Sequence, residues 1–128
     1  ADLTGWRVLL VEDDEINREV ALGLLEPTGA AVEIAENGQI ALDKARATRF
    51  DLVLMDLQMP VLDGLSATRA MRELPDLKTL PIIAMTASAM AGDRERLLAA
   101  GMNDYISKPI RVGALYATLA RWRAAATA

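Results

Sequence analysis

Short apolar runs alternate along the chain with longer stretches in which apolar residues recur at helical spacing. The runs occupy residues 7–11, 31–35, 51–55, 81–85 and 104–107. Each run is followed by a predicted helix. The first helix is marked by Ile16, Val20 and Leu24, the second by Ala41, Leu42 and Ala45, and the third by Ala67, Ala70, Met71 and Leu74. The fourth covers residues 90–100 and is followed by Gly101, and the fifth is marked by Val112, Leu115, Tyr116, Leu119 and Trp122. This fivefold alternation predicts a parallel sheet with helices on both faces.

The order of the strands follows from the polar residues inside the runs. The first, third and fourth runs are apolar at nearly every position, as expected for strands that are buried on both faces. The second run contains Glu33 and the fifth contains Ser107, which favours the two edges of the sheet. With right-handed crossovers, this predicts a single three-layer α/β domain of five β-α units, with a parallel five-stranded sheet in the order 2-1-3-4-5 of flavodoxin-like folds.

Composition limits the chemistry that is open to the chain. Its 128 residues suit one domain, and the small residues at 1–5 and 124–128 are typical of linkers beside a domain at 6–123. The lack of cysteine and histidine excludes disulfides, thiolate and imidazole metal sites, and a phosphohistidine on this chain. A net charge of −4 argues against nucleic-acid binding. No apolar run approaches the roughly 20 residues that span a bilayer, so a cytoplasmic location is expected.

Charged and hydroxyl side chains follow four of the five predicted strands. Glu12, Asp13 and Asp14 come after the first, Asp56 after the third, Thr86 after the fourth, and Ser107, Lys108 and Pro109 end the fifth. Because the carboxyl ends of parallel strands meet at one edge of a sheet, we expect these groups to converge. Clustered carboxylates need a cation, and an all-oxygen ligand set favours Mg²⁺. A lysine and a threonine beside the cation suit a phosphoryl group, and one carboxylate could act as the nucleophile.

Each of these residues alone has a simpler interpretation. A single aspartate after a strand is usually a turn former or a helix N-cap, and we assign Asp14, Asp63 and Asp104 to that class. Thr86 alone could cap the following helix, and Lys108 alone could be a solvated surface charge. The occurrence of these groups together at several strand ends is what favours a functional site.

Four segments of the chain closely resemble the receiver domain of two-component response regulators. They are residues 8–17 (VLLVEDDEIN), 54–60 (LMDLQMP) with Asp63 and Gly64, 85–87 (MTA) and 104–109 (DYISKP). The resemblance extends from about Trp6 to Trp122, with all motifs in order. It implies a phosphoacceptor domain of a two-component phosphorelay that uses Mg²⁺.

The resemblance also implies a role for individual residues. Asp56 is expected to accept the phosphoryl group, and Mg²⁺ is expected to be held by Glu12, Asp13, Asp56 and the backbone carbonyl of Gln58. Thr86 and Lys108 are expected to contact the phosphoryl oxygens. Thr86 and Tyr105 are expected to form a conformational switch. The switch is expected to act on the face formed by the fourth helix, the fifth strand and the fifth helix. Phosphorylation and dephosphorylation of such a domain are self-catalysed.

The parent protein and the partners are expectations of the same kind. The motifs look most like receivers inside hybrid sensor histidine kinases, whose full-length form could be a membrane-anchored kinase. A stand-alone or DNA-binding response regulator, and a docking module that is not phosphorylated, are the alternatives. The expected partner is a histidine kinase or a histidine-phosphotransfer domain. The domain itself is expected to bind neither nucleic acid nor membrane, and to be a monomer or weak dimer.

Two other protein classes fit the residues less well. A haloacid-dehalogenase-type phosphatase needs a second acid two residues after its nucleophile, where this chain has Gln58. A flavodoxin needs a hydroxyl- and glycine-rich phosphate loop after the first strand. This chain has three acids there, which would repel a flavin phosphate.

Overall fold

Strands and helices alternate in the computed structural model, which describes residues 2–57, 62–87 and 91–127, with backbone alone at 91, 92 and 127. Their bounds are β1 Arg7–Val11, α1 Glu15–Leu25, β2 Ala31–Ala35, α2 Gly38–Ala47, β3 Leu52–Asp56, α3 Gly64–Arg72, β4 Ile82–Thr86, α4 Ala91–Ala99, β5 Asp104–Ser107 and α5 Val112–Thr127. Short 3₁₀ turns, Glu26–Thr28 and Pro75–Leu77, follow α1 and α3. All strands pair in parallel, in the order β2-β1-β3-β4-β5. The predicted fold class and strand order are confirmed.

Apolar side chains fill both faces of the sheet, as β1 illustrates. Leu9 and Val11 point into a cluster that α2, α3 and α4 cover, whereas Val8 and Leu10 point into a second cluster that α1 and α5 cover. All four side chains are fully buried. Because burial of one such side chain stabilises the folded state by about 1.5–3 kcal/mol, the central strands are held rigidly between two helical layers.

Side-chain caps begin two of the helices that flank the carboxyl edge of the sheet. The Asp14 carboxylate accepts a hydrogen bond from the backbone N–H of Asn17 at 3.0 Å, and Asp63 accepts one from the N–H of Ser66 at 2.9 Å. These contacts confirm the interpretation of both aspartates as N-caps. At the C-terminal end of α4, Gly101 has a φ of +104°, a left-handed conformation that favours glycine at the position after a helix.

Both ends of the chain are more structured than their small residues indicate. The Leu3 side chain is fully buried, and its N–H donates to the carbonyl of Thr28 at 2.7 Å. At the other end, α5 continues to Thr127. The guanidinium of Arg123 on this helix stacks 5.1 Å from the Trp6 ring centroid and donates to the Thr4 carbonyl. The flanking residues therefore pack on the domain, and the bounds 6–123 stay a prediction.

Two of the three residues in the apolar stripe that marks α1 in the sequence do not face the core, whereas the third, Leu24, is half-buried and packs against it. Ile16 is 73% exposed and Val20 is 51% exposed, while the buried residues of this helix are Ala21 and Leu25. The stripe correctly predicts a helix, but the side chains of Ile16 and Val20 lie on the solvent side. No helix in the described part of the chain combines the length and apolar character needed to cross a bilayer.

Candidate functional site

The sheet register brings the ends of the central strands to one level. Val11 of β1 pairs with Met55 of β3, so Glu12 follows at the level of Asp56, and Asp56 itself pairs with Met85 of β4. A cavity of about 220 Å³ lies at this edge, and its lining includes Glu12, Asp13, Asp14, Asn17, Asp56, Thr86 and Lys108. The predicted acidic pair, acceptor, threonine and lysine therefore all converge.

Three carboxylates in the cavity form a candidate metal site. One oxygen each from Glu12, Asp13 and Asp56 lies within 4.8 Å of the other two. Opposite ligands of Mg²⁺ are about 4.2 Å apart, so small side-chain movements would suffice for coordination. Glu12 and Asp56 are buried and Asp13 is exposed, which leaves one side of the site open to a hydrated ion. The donor set fits Mg²⁺.

Lys108 supplies a cation between two of these carboxylates. Its Nζ lies 3.1 Å from Oε2 of Glu12 and 3.4 Å from Oδ1 of Asp56. The Lys108 backbone is anchored as well, because its N–H donates to the Thr86 carbonyl at 2.8 Å. The end of β5 is thereby tied to the end of β4, and the ammonium is held over the cavity.

Burial and charge change the proton affinities of this pair. Burial raises the pKa of Glu12 above its ordinary value of 4.5, and the Asp56 charge adds to the rise, although the hydrogen bond from Lys108 opposes it. For Lys108, burial favours the neutral form, but hydrogen bonding to Glu12 and the charge of Asp56 together raise its pKa above 10.5. Lys108 is therefore charged at neutral pH and suited to attract an anionic group.

The backbone around Asp56 is fixed by a close approach of α3. Gly64 begins this helix, and a Cβ at Gly64 would overlap the carbonyl oxygen of Asp56. The Gly64 N–H donates to the carbonyl of Leu57 at 3.2 Å. Asp56 and Thr86 are themselves buried, at 5% and 7% exposure. The Asp56 carboxylate thus lies on a rigid strand end rather than on a free loop.

Tyr105 lies outside this cavity, on β5. It is half-buried and packs against the core cluster on the α4 side of the sheet. Its N–H donates to Oδ1 of Asp104 at 2.8 Å, and Oδ2 of Asp104 accepts from Trp122 at 3.0 Å and from Arg121 at 2.6 Å. Burial alone would raise the pKa of Asp104, but these hydrogen bonds lower it below 3.8. Asp104 therefore links β5 to α5 and has a structural role, but it begins a strand and is neither the turn former nor the helix N-cap that the sequence predicted.

The sequence analysis did not single out Asn17 or Met85, which also line the cavity. A signal for Asn17 exists, since it lies in the first turn of α1, three residues after the Asp14 cap. Arg18 was missed too, although its guanidinium donates to the Glu12 carbonyl at 3.4 Å. Gln58 lies outside the described residues, so its carbonyl remains a predicted metal ligand.

Comparison with known proteins agrees with this geometry. The family model for the response regulator receiver domain matches residues 8–120. The signal transduction histidine-protein kinase BarA of Escherichia coli (strain K12) is 42% identical over 116 residues. The matched region covers 91% of this chain and 13% of BarA, so the chain spans a small part of that relative.

Two solved structures are similar over nearly the whole chain. One is the receiver domain of sensor histidine kinase PA1611 from Pseudomonas aeruginosa PAO1, which was solved with a magnesium ion coordinated in its active-site cleft. It aligns with a TM-score of 0.86 at 44% sequence identity, and the alignment covers 93% of this chain and 98% of the PA1611 domain. The other is the receiver domain of Ssk1 from Saccharomyces cerevisiae, which was solved with the histidine phosphotransfer signaling protein Ypd1. It aligns with a TM-score of 0.86 at 31% sequence identity, and the alignment covers 91% of this chain and 88% of the Ssk1 chain. With the family match over residues 8–120, the chain belongs to the response regulator receiver domain family.

Proposed function

We propose that Asp56 is the phosphoacceptor of this receiver domain and takes its phosphoryl group from a phosphohistidine on a partner. The observation that carries the proposal is the position of the Asp56 carboxylate, buried at a strand end beside the carboxylates of Glu12 and Asp13, with the Lys108 ammonium 3.4 Å away. One Asp56 oxygen attacks phosphorus as the P–N bond to the partner breaks. The bonding electron pair stays on the imidazole nitrogen, which takes a proton from solvent.

The neighbouring residues have supporting roles. Glu12, Asp13 and Asp56 would hold Mg²⁺, with the Gln58 carbonyl as the predicted further ligand. When bound, Mg²⁺ supplies positive charge against the oxygens of the transferring group. Lys108 adds an ammonium from the β5 side. Thr86 lines the same cavity and is positioned to donate its hydroxyl to the phosphoryl oxygens.

The exposed face of α1 supports a partner that docks beside the acidic cavity. Ile16 and Val20 project from this helix into solvent, and Val20 borders a second cavity of about 170 Å³ walled by Ala21, Met85, Pro109 and Ile110. Glu12, Asn17 and Lys108 belong to the lining of both cavities, so an apolar surface lies directly beside the acceptor. This arrangement suits a helix bundle with an apolar patch around its phosphohistidine, such as a histidine-phosphotransfer domain or a histidine kinase.

The likeness to BarA favours a hybrid sensor histidine kinase as the parent protein, with residues 6–123 as its receiver and a cytoplasmic location. A stand-alone response regulator is the alternative. Mass spectrometry of the parent from its native cells would distinguish them.

The decisive experiment is intact-mass measurement after incubation with acetyl phosphate and Mg²⁺. Wild type should gain the mass of one phosphoryl group, and chelation of the metal should prevent the gain. Asp56→Asn should show no gain, whereas Asp76→Asn, which removes an exposed carboxylate from the 3₁₀ turn after α3, should behave as wild type. A gain that persists in Asp56→Asn would refute the assignment. The absence of any gain in wild type would favour a docking module instead.

A further inference from the structure

The first turn of α2 packs directly against α3 and the residues that lead into it. Gly38 begins α2 and is buried, and its N–H donates to the Leu62 carbonyl at 3.0 Å. A Cβ at Gly38 would overlap that carbonyl oxygen and would lie 2.9 Å from the carbonyl carbon of Leu62 and 3.1 Å from the Cβ of Ala67. Because these separations are shorter than van der Waals contact, only glycine allows the two backbones to approach so closely.

The same part of α3 also contacts the end of β3. Gly64, the first residue of α3, lies so close to β3 that a Cβ there would overlap the Asp56 carbonyl oxygen and lie 3.0 Å from Cα of Leu57. Only two positions separate Gly64 from Leu62, and the Gly64 N–H is itself bonded to the Leu57 carbonyl. A displacement of Leu62 would therefore move the backbone that carries the Asp56 carboxylate.

The start of α2 is anchored as well, so it cannot easily withdraw from α3. The Asn37 side chain caps the helix by accepting a hydrogen bond from the Ile40 N–H at 2.9 Å. Ala35 ends β2 and is fully buried, and its carbonyl accepts a hydrogen bond from the Glu12 N–H at 3.1 Å. A movement of α2 would therefore disturb Glu12, just as a movement of α3 would disturb Asp56.

We propose that Gly38 is a positioning residue for the phosphoacceptor site. Its close backbone contact with Leu62 holds α2 and α3 at the separation that places the carboxylates of Glu12 and Asp56 for Mg²⁺ binding. Gly38 lies outside the lining of the cavity, so it acts through Leu62 and Gly64. The inference deepens the proposed function and rests on it for the role of Asp56.

Two simpler roles for Gly38 agree less well or make a different prediction. An anion site at the start of α2 would need free N–H groups, but the Gly38 N–H is bonded to Leu62 and the Ile40 N–H to Asn37. A glycine that serves packing alone would affect stability without affecting metal affinity. Linkage separates packing from positioning, because a contact that favours Mg²⁺ binding must itself be favoured by bound Mg²⁺.

The first test is calorimetric titration of unphosphorylated wild type, Gly38→Ala and Gly101→Ala with Mg²⁺, at a temperature at which circular dichroism shows each protein to be folded. Gly38→Ala should raise the Kd about tenfold, a usual loss when a residue that orients metal ligands is changed. Gly101→Ala is the matched control, because a Cβ there would lie 2.7 Å from Cγ of Arg72. It should lower stability but bind Mg²⁺ as wild type does, since Gly101 precedes β5 at the opposite edge of the sheet.

Amide hydrogen exchange in the wild-type protein provides a second measurement, which does not depend on the folding of a variant. The Gly38 N–H donates to Leu62, whereas the Gly101 N–H donates to the Leu98 carbonyl of α4. Saturating Mg²⁺ should slow exchange of the Gly38 N–H at least about threefold relative to that of Gly101.

An unchanged Kd in Gly38→Ala, or an equal loss of affinity in both variants, would overturn the proposal. An exchange rate of Gly38 that Mg²⁺ does not slow relative to Gly101 would overturn it too, and this result decides alone if Gly38→Ala does not fold. Failure of the proposed function would look different, because wild type would then gain no phosphoryl mass. The Mg²⁺ affinities and exchange rates are measured without phosphorylation and are independent of that outcome.

Discussion

The ammonium of Lys108 lies 3.1 Å from Oε2 of Glu12, although 96 positions separate the two residues in the chain. The contact closes the carboxyl edge of the sheet across β1, β3, β4 and β5, because Lys108 follows an edge strand and Glu12 follows a central one. A cation is thus built into the acidic cavity before any metal binds. It limits the repulsion between Glu12 and Asp56, and it competes with a metal ion for their oxygens.

Lys108→Met should therefore tighten Mg²⁺ binding while it slows phosphorylation of Asp56. Removal of the ammonium leaves more negative charge for the metal, which we expect to lower the Kd about tenfold. The same change removes a positive charge that attracts the phosphoryl oxygens. Calorimetric titration and the rate of mass gain with acetyl phosphate measure the two effects. Lys44→Met is the control, because Lys44 bonds a backbone carbonyl outside the cavity; weaker Mg²⁺ binding in Lys108→Met would contradict the prediction.

Asp13 and Asp14 are adjacent, yet their carboxylates have different tasks. Asp13→Asn should weaken Mg²⁺ binding by about tenfold or more, since it removes a charged ligand. Asp14→Asn removes the same charge but keeps a side chain that caps α1, so both Mg²⁺ affinity and stability should remain close to wild type. Parallel calorimetric titrations of the two variants make the comparison. Equal losses of affinity would show that the metal responds to net charge alone.

Asp104 should make stability depend on acidic pH. Its pKa in the folded protein is below 3.8, so its contribution is present above that value and is lost as the pH falls through the folded pKa. Asp104→Asn keeps one acceptor for Trp122 but loses the charge opposite Arg121, and we expect it to lower the free energy of unfolding by about 1 kcal/mol at pH 7. Urea titrations across pH should show this difference shrink below pH 3.8. A difference that is constant with pH would mean that the Asp104 charge contributes nothing.

Thr86→Ala should separate phosphorylation from the switch proposed for Tyr105. The variant keeps Asp56 and the metal ligands, so the mass gain should persist. Loss of the hydroxyl should reduce the phosphorylation-dependent NMR shifts of α4, β5 and α5, because the phosphoryl group would no longer draw residue 86 toward it. Thr28→Ala, which alters another buried threonine remote from the cavity, should keep the full shifts. Identical shifts in phosphorylated wild type and Thr86→Ala would refute the coupling, though not the role of Asp56.

Periodicity and strand-end chemistry were sufficient for the sheet order and for the convergence of the site, because both depend on local sequence. Contacts to backbone carbonyls were not predictable in the same way. Arg72 is the clearest case: its guanidinium donates to the carbonyls of Gly101 and Leu77 and to the side chain of Asn103. No residue type in the sequence marks a carbonyl acceptor that lies 29 positions away. The exposure of Ile16 and Val20 was unpredictable for a related reason, since apolar residues at helical spacing can meet either the core or a partner.

The burial of Leu3 determines how much chain is needed for autonomous folding. The family match begins at residue 8, but a chain cut there would expose the pocket that Leu3 fills and would remove the ring of Trp6 from beneath Arg123. Loss of a buried leucine costs about 2–5 kcal/mol, a large share of the stability of a domain this size. The minimal folding unit is therefore longer than the signalling motif it contains, and excision at the boundary of the match would yield a protein that melts early while retaining every residue of the acidic cavity.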